Sequence, residues 1–402
     1  MTREFPGLHD PAAPVWRSAR GEYVEAADGR RYVDLSMGFG ACLFGHGAAE
    51  QVIREANPAG ADALPHGLGD LQTSELREHA LERLCSWAEG NWPAADAGDL
   101  RAVVFQTGSD AVDTAVKTAL LATGRERIVS FTGSYHGTFG MALSVTHRPR
   151  CREPFLTHLG TPGSVRFEPY GEVPQLDGRD ACVVVEPIQG RGGLVVPPAG
   201  FLRELRAACT AAGTLLVVDS ILVGCGRTGV PLAGAECNPD LLCLGKALGS
   251  GVPASAVLAK SAIAERAWAR FSDEAIHTST FVGHPFSCAA IVATLGWLDE
   301  TDLAAACAPI ESTVRAAAAA TGLAVRGAGA LWALDTDTPG GGVALSRALQ
   351  EEGFIVPPSG PHGESVTLTP ALTTRQASLV GWADALIRRV PQLPTQRDGS
   401  VE

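Results

Sequence analysis

Lysine is almost missing from this chain. Of 32 lysine and arginine residues in 402, only Lys117, Lys246 and Lys260 are lysine. Arginine keeps its proton in a protein, whereas a desolvated lysine can lose it and act as a nucleophile. A lysine retained against this bias points to chemistry that arginine cannot do. Clustered basic runs are also missing, and the formal charge is −12. A surface that tracks nucleic-acid phosphates needs such clusters, so no nucleic-acid partner is expected. The ten cysteines include no CxxC pair and no Cys/His cluster at zinc spacing, which argues against a metal site and for reduced thiols used as small hydrophobes. The longest stretch without a charge, Ala275–Leu298, holds His277, Gly283, His284 and Pro285 in its first half and does not read as a spanning helix. Met1–Pro11 lacks the apolar core of a secretory signal. The expectation is a soluble cytoplasmic protein with no membrane partner.

What is present is enough apolar material, 46% against 19% charged, to bury a large core and to exclude disorder. From about residue 100 to 285, short apolar runs alternate with helical stretches. Val103–Phe105, Ile128–Phe131, Cys182–Val185, Leu215–Val218 and Leu241–Leu244 read as strands, with helices predicted from about Asp110 to Ala122 and over Phe201–Ala212. Continuous apolar runs between amphipathic helices indicate a mostly parallel sheet covered on both faces, an α/β architecture. The first 50 residues carry hairpin material, Glu22–Glu25 and Arg31–Asp34, around an Asp28-Gly29 turn. Pro285 suits the first position of an alanine-rich helix. A second alanine-rich stretch, Ala316–Ala320, precedes a mixed tail ending near Val390, and residues 391–402 are polar and expected to fray. The layout predicts a large domain over 51–284 and a small α+β domain built from 1–50 and 285–402.

Three places carry chemistry. Gln106-Thr107-Gly108-Ser109-Asp110 sits where a strand turns into a helix. There, small residues and a helix amino terminus suit an anion such as phosphate, with Ser109 as cap and donor. The same residues also fit a plain N-cap followed by an acid in the first turn. Asp219 closes the Leu215–Val218 strand at the edge where open α/β sheets bind ligands, either to pair with a cationic group or to cap a turn. Lys246 follows the next strand among glycine and apolar neighbours, either as a desolvated amine that forms a Schiff base or as a snorkelling surface lysine. Phosphate donor, strand-end acid and Schiff-base lysine in one sheet together describe a holder for pyridoxal phosphate.

The chain resembles the class III aminotransferases, pyridoxal-phosphate enzymes of fold type I. Six ordered segments carry the likeness: Thr107–Val112, Gly133–Gly137, Val185–Gly190, Gly224–Gly229, Leu244–Ala247 and His277–Phe281. By this resemblance Lys246 carries the cofactor and shuttles the proton. Asp219 pairs with the ring nitrogen, Gly108 and Ser109 hold the phosphate, Tyr135 stacks on the ring, and Glu186 is an acid near Asp219. Thr280 is expected to reach the phosphate of the neighbouring subunit's cofactor, which implies a homodimer with shared active sites. The implied reaction moves an amino group from an amino-acid donor to a ketone or aldehyde. Gly38-Phe39-Gly40 weakly resembles aminotransferase modules of polyketide–peptide assembly lines, which marks Phe39 as a substrate residue and suggests secondary metabolism.

The sequence departs from the family at three positions. Leu222 stands where relatives commonly place the glutamine that hydrogen-bonds the cofactor's phenolic oxygen. Arg191 stands where a glutamate is common. Thr367 aligns with an arginine that binds substrate carboxylate in many relatives. Arg191 is thus either a relocated carboxylate clamp or a solvent-facing arginine. The alternatives to transamination are a racemase, aminomutase or decarboxylase on the same lysine and acid, and, further off, a non-catalytic subunit of the same fold.

Overall fold

The chain opens on an antiparallel meander, β1 (Trp16–Arg20), β2 (Tyr23–Ala26) and β3 (Arg31–Asp34), folded back at the Asp28-Gly29 turn as the sequence predicts. This is a computed structural model, and it describes residues 13–48 and 64–393 except 94, 97, 161, 162 and 272, together with 5, 10, 51, 53 and 54. The amino-terminal stretch Met1–Pro11, apart from Phe5 and Asp10, lies outside the described residues, as does the polar end from residue 394 on.

After helix α1 (Glu75–Asn91) the central unit runs β4 (Leu100–Phe105), α2 (Gly108–Thr123), β5 (Arg127–Phe131), β6 (Val165–Glu168), β7 (Asp180–Val185), α3 (Phe201–Ala212), β8 (Leu215–Asp219), β9 (Leu241–Leu244) and β10 (Ser255–Lys260). Its seven strands lie in the order β4-β10-β9-β8-β7-β5-β6. The ladders from β9 to β6 are all parallel, and only β10 runs against its two neighbours. All five strands expected from the apolar runs form. The two additional ones carried weaker signals: Val165–Glu168 alternates charged with apolar residues, and Ser255–Lys260 opens and closes on polar ones.

Strand periodicity explains the layering. On β7 and β8, Val184 and Val217 point to the face packed under Ala111, Val112, Ala115 and Val116 of α2. Val183, Val185, Leu216 and Val218 point the other way, onto Phe201, Leu205 and Cys209 of α3. Both faces are therefore dry, which is why these strands read as unbroken apolar runs rather than alternating ones.

The carboxyl-terminal part continues as α4 (Ser261–Trp268), α5 (Pro285–Glu300), α6 (Leu303–Thr321), β11 (Ala324–Ala328), β12 (Leu331–Asp335), α7 (Gly341–Glu351), β13 (Phe354–Ile355), β14 (Pro358–Ser359), β15 (Ser365–Leu368) and α8 (Gln376–Arg389). Pro285 occupies the start of α5, as its lack of an N–H allows. β13 adds in parallel to β3, so the two ends of the chain share one sheet, while β11-β12-β15-β14 form another. Cys288, Ile291 and Leu295 of α5 join Leu84 of α1 and Val104 of β4 in one buried cluster with Leu334 and Leu368 from the tail. No cysteine among the described residues is paired, and Cys182, Cys209, Cys225, Cys237, Cys243, Cys288 and Cys307 are buried. Among the described residues no helix is long and apolar enough to cross a membrane.

One charged side chain staples these parts. Arg227 is fully buried and gives hydrogen bonds to the carbonyls of Gly40 (3.1 Å), Ala330 (3.3 Å) and Pro370, which belong to three distant segments. Burial pulls its pKa down to about 10, which still leaves it charged at neutral pH. Arg227→Met strands three buried carbonyls and is expected to cost about 3 kcal/mol, read as a shift in the denaturant midpoint at unchanged slope.

Candidate active site

Ligands of open parallel sheets bind beyond the carboxyl ends of the strands. Here five such ends converge: β4 leads into Gln106–Ser109, β5 into the loop with Tyr135 and His136, β7 into Glu186, β8 ends on Asp219, and β9 leads to Lys246. They enclose a cavity of about 380 Å³ lined by Gly108, Ser109, Tyr135, Glu186, Asp219 and Lys246. A second cavity of about 380 Å³ shares Lys246, Tyr135, Arg191 and Leu222 with the first and adds Phe39 and Thr367. Every cofactor residue expected from the sequence lines the inner cavity except Thr280, which sits in an exposed turn outside the lining.

The cradle at the start of α2 differs in one respect from the expectation. Thr107, not Ser109, is the N-cap: its side chain accepts from the Asp110 N–H, and the Asp110 carboxylate returns a bond to the Thr107 N–H. The helix therefore begins at Gly108, two residues earlier than predicted, because a threonine–aspartate capping box is available one step upstream. This frees Ser109. Its Oγ accepts only the Thr138 N–H, at 3.3 Å, and the first two helical N–H groups, of Gly108 and Ser109, have no acceptor within the helix. Gly137, at φ +133°, lets the following loop close over this cradle; a Cβ there would lie 2.1 Å from Ser109 Oγ.

At the floor, Asp219 is 5% exposed, so its carboxyl oxygens need hydrogen-bond partners. His136, fully enclosed, faces Asp219 Oδ2 with Nδ1 at 2.8 Å, while the Ile221 N–H donates to Oδ1 at 3.1 Å. Burial opposes a charged imidazole, but the hydrogen bond to Asp219 and the charges of Asp219 and Glu186 outweigh it, so the His136 pKa is raised. Glu186 accepts the Tyr135 N–H at 2.9 Å and the Gly190 N–H at 3.0 Å; burial pushes its carboxyl up to about 7, partly offset by His136. Glu186 thus ties the β5 loop to the β7 loop beside Asp219. His136 was not assigned a role from sequence, although it lies inside the Gly133–Gly137 segment; a histidine between two ligand-lining positions was the available signal.

Lys246 holds a backbone φ of +45°, a conformation that costs a non-glycine residue roughly 1–3 kcal/mol and that clusters at functional positions. Its Nζ has no hydrogen-bond partner among the described residues. Burial, helped by the charges of Arg191 and Arg227, pulls the amine down to about 8, against an opposing pull from Asp219 and Glu186. Leu222 packs into the space left by Gly190, where an added Cβ would meet it at 2.2 Å. Thr367 donates to Ser359 Oγ at 2.7 Å, and Phe39, exposed and at φ +57°, borders the outer cavity.

The residues present fit pyridoxal phosphate. Free N–H groups and a hydroxyl await an anion at one end, an orphaned buried Nε2 of His136 lies on the wall, and a desolvated amine stands opposite a carboxylate held for a cationic partner. Such a cradle on a sheet of this topology defines a pyridoxal-phosphate transferase of fold type I.

The chain belongs to the class III aminotransferases: the model of that family, described as aminotransferase class-III, matches residues 8–390. It is a pyridoxal-phosphate-dependent aminotransferase, and the family passes an amino group from a small-molecule donor to a keto acceptor. It is 34% identical over 380 residues to an acetylornithine aminotransferase from Mycolicibacterium smegmatis, covering 92% of this chain and 91% of that one. It is 36% identical over 292 residues to one from Methanopyrus kandleri, covering 70% of each. Among solved structures it resembles the ornithine aminotransferase of Toxoplasma gondii, which has pyridoxal phosphate at its active site, with a TM-score of 0.82, 26% identity and coverage of 96% and 92%. These likenesses bear out amino-group transfer over the racemase, aminomutase and decarboxylase alternatives.

Two outcomes follow from the geometry. In the cofactor-free protein, reaction of Lys246 with an aldehyde probe rises with pH and levels off above about 8, because only the neutral amine attacks; a plateau reached only near the ordinary ~10.4 contradicts this. His136→Phe removes the donor that faces Asp219 and is expected to weaken cofactor binding about tenfold or more, measured by equilibrium dialysis of pyridoxal phosphate.

Proposed function

We propose that this aminotransferase takes its amino group from an amino acid whose carboxylate rests on Arg191. One observation carries the reading. The Arg191 guanidinium stands over the rings of Tyr135 and Phe39, 5.0 and 5.4 Å from their centroids, on the wall common to both cavities. Among the described residues no carboxylate pairs with it. Arg191 is exposed, as the solvent-facing alternative expects, yet it lies over two rings of the cavity wall, and its planar fork there suits a carboxylate. Thr367 then no longer needs to be an arginine.

Bound pyridoxal phosphate supplies the electron sink that allows the C–H bond beside the donor's nitrogen to break. Gly108 and Ser109 would hold the phosphate at the start of α2. Tyr135 would lie against the ring, and Asp219, steadied by His136, would pair with the ring nitrogen and keep it protonated. Lys246 would carry the cofactor until the donor's amine displaces its Nζ, and the freed amine would take the proton from the donor's amine-bearing carbon and hold it for return. Leu222 against Gly190 keeps that wall apolar and dry.

The protein works as a homodimer in which Thr280 reaches the neighbouring subunit's cofactor phosphate. The exposed turn bearing Thr280 supports this, since Gln106 of the cavity wall donates to the Phe281 carbonyl at 2.5 Å and so couples that turn to the site. The division into 51–284 and a second unit from 1–50 with 285–402 is supported by the β3–β13 pairing. A cytoplasmic setting suits unpaired thiols, which persist in reducing compartments. Acetylornithine, named for the two relatives, is the first donor to try. The altered Leu222 and Thr367 favour an acceptor outside the common set, as in secondary metabolism.

The decisive experiment is a half-reaction of holoenzyme with a panel of amino donors, reading the cofactor's absorption band and the products by mass spectrometry. A keto product with pyridoxamine phosphate is expected. Donor labelled by solvent deuterium, or carbon dioxide release, with no pyridoxamine phosphate overturns the reading. Arg191→Ala is expected to raise KM for carboxylate-bearing donors about tenfold or more while sparing a simple amine.

A further inference from the structure

Lys117 is one of three lysines kept by an arginine-rich chain, and the reaction as described does not use it. It lies in the middle of α2, the helix whose first turn forms the anion cradle. Its Nζ meets two partners: the Asp113 carboxylate at 2.7 Å, one helical turn back, and Nδ1 of His277 at 3.0 Å. An ammonium has donors only, so His277 Nδ1 accepts and the ring proton sits on Nε2. That nitrogen faces Thr114 Oγ1 at 2.7 Å, and the Thr114 hydroxyl donates to the Asp110 carbonyl at 2.8 Å. The donors thus run without conflict from Lys117 to His277, then to Thr114, then to the backbone of α2. Burial and then the Lys117 charge lower the His277 pKa against the pull of Asp113 and Asp110, which keeps the ring neutral.

His277 anchors a stretch that is otherwise exposed. From Asp273 to Phe281 the backbone is neither helix nor strand, and every residue except His277 is exposed. The His277 ring packs against Phe105 at the end of β4 and Trp268 at the end of α4, with centroids 5.3 and 6.4 Å away. Beyond it, Thr278 donates to the exposed Asp70 at 2.9 Å, and Gln106 of the inner cavity donates to the Phe281 carbonyl. Thr280 lies between those two ties. An arginine at 117 spreads its N–H groups over a wide planar fork, whereas one compact ammonium serves both Asp113 and His277.

We propose that Lys117, acting through His277, is a positioning residue that holds the Thr280 turn against α2 and so sets how tightly cofactor is kept. The inference rests on the reading that Thr280 reaches the neighbouring subunit's cofactor phosphate. One helix then serves two cofactors: its first turn cradles its own, and its middle places the threonine offered to the neighbour's.

The test compares holoenzyme with Lys117→Met, Lys117→Arg, His277→Phe and the Lys117→Met/His277→Phe double variant. Lys117→Met is expected to speed amide hydrogen exchange across 273–281 about tenfold, read by mass spectrometry, while β7 and β8 exchange as in wild type. Release of pyridoxal phosphate on dialysis also quickens about tenfold. The double variant is no worse than the worse single one, because both substitutions break the same bond. Lys117→Arg stays closer to Lys117→Met than to wild type. In nitrogen-15 spectra of histidine-labelled wild type, the signal lost in His277→Phe shows a bare Nδ1 and a protonated Nε2 at neutral pH. Unchanged exchange and release in Lys117→Met, additive losses in the double variant, or a proton on Nδ1 overturns the proposal. Faster exchange along the whole chain overturns it too and leaves Lys117 as a general support of the fold. The Thr280 reading is separated by Thr280→Val: if that variant keeps wild-type release, the Thr280 assignment falls, while local loosening in Lys117→Met still supports the hold of Lys117 on the turn.

Discussion

A carboxylate at the dry end of a parallel strand is the constraint around which this molecule is arranged. β8 is buried along its whole length, so the carboxyl group of Asp219 at its tip needs hydrogen-bond partners. His136 and the Ile221 N–H supply them on the protein side. Glu186 then locks the loop that delivers His136 by accepting N–H bonds from Tyr135 and Gly190. Three strand-end loops thus hold one another in place through their own hydrogen bonds.

The electrostatics of the site are balanced rather than one-sided. Lys246 sits between acids that favour its ammonium and a burial cost, with Arg191 and Arg227, that favours its amine; the balance near 8 leaves it able to hold and give up a proton around neutral pH. Its left-handed backbone stores strain that the packed turn after β9 maintains. Arg227 serves twice in this scheme. It contributes positive charge near the lysine and staples the Gly40 segment, next to Phe39, to the tail. The wall of the outer cavity is thereby fixed to the same frame as the floor of the inner one.

Much of this was legible before folding was considered. A dry parallel sheet demands unbroken apolar runs, so β4, β5, β7, β8 and β9 announced themselves, as did α3, whose bounds match the expectation residue for residue. β6 and β10 did not, because an edge strand and an antiparallel insert carry mixed side chains. Lys246 stood out against the arginine bias, and Asp219 and Ser109 by their places after strands. Chain order also placed the helix start, but two residues late, since the Thr107–Asp110 capping box competes with Ser109 through side-chain geometry.

Residue type and local period therefore settled the sheet and its covering helices and singled out a lysine, an acid and a helix start that line one cavity, because those depend on burial periodicity and on chemistry confined to a few neighbours. Distance through space decided the rest. Whether Arg191 is a clamp or a surface residue depends on which rings lie beneath it and which acids do not lie beside it. His136 gains its meaning from Asp219, 83 positions away. Arg148 lines the outer cavity only because one loop lies on the backbone of another. Along a chain every arginine looks alike; only packing shows which ones meet an acid and which line a cavity.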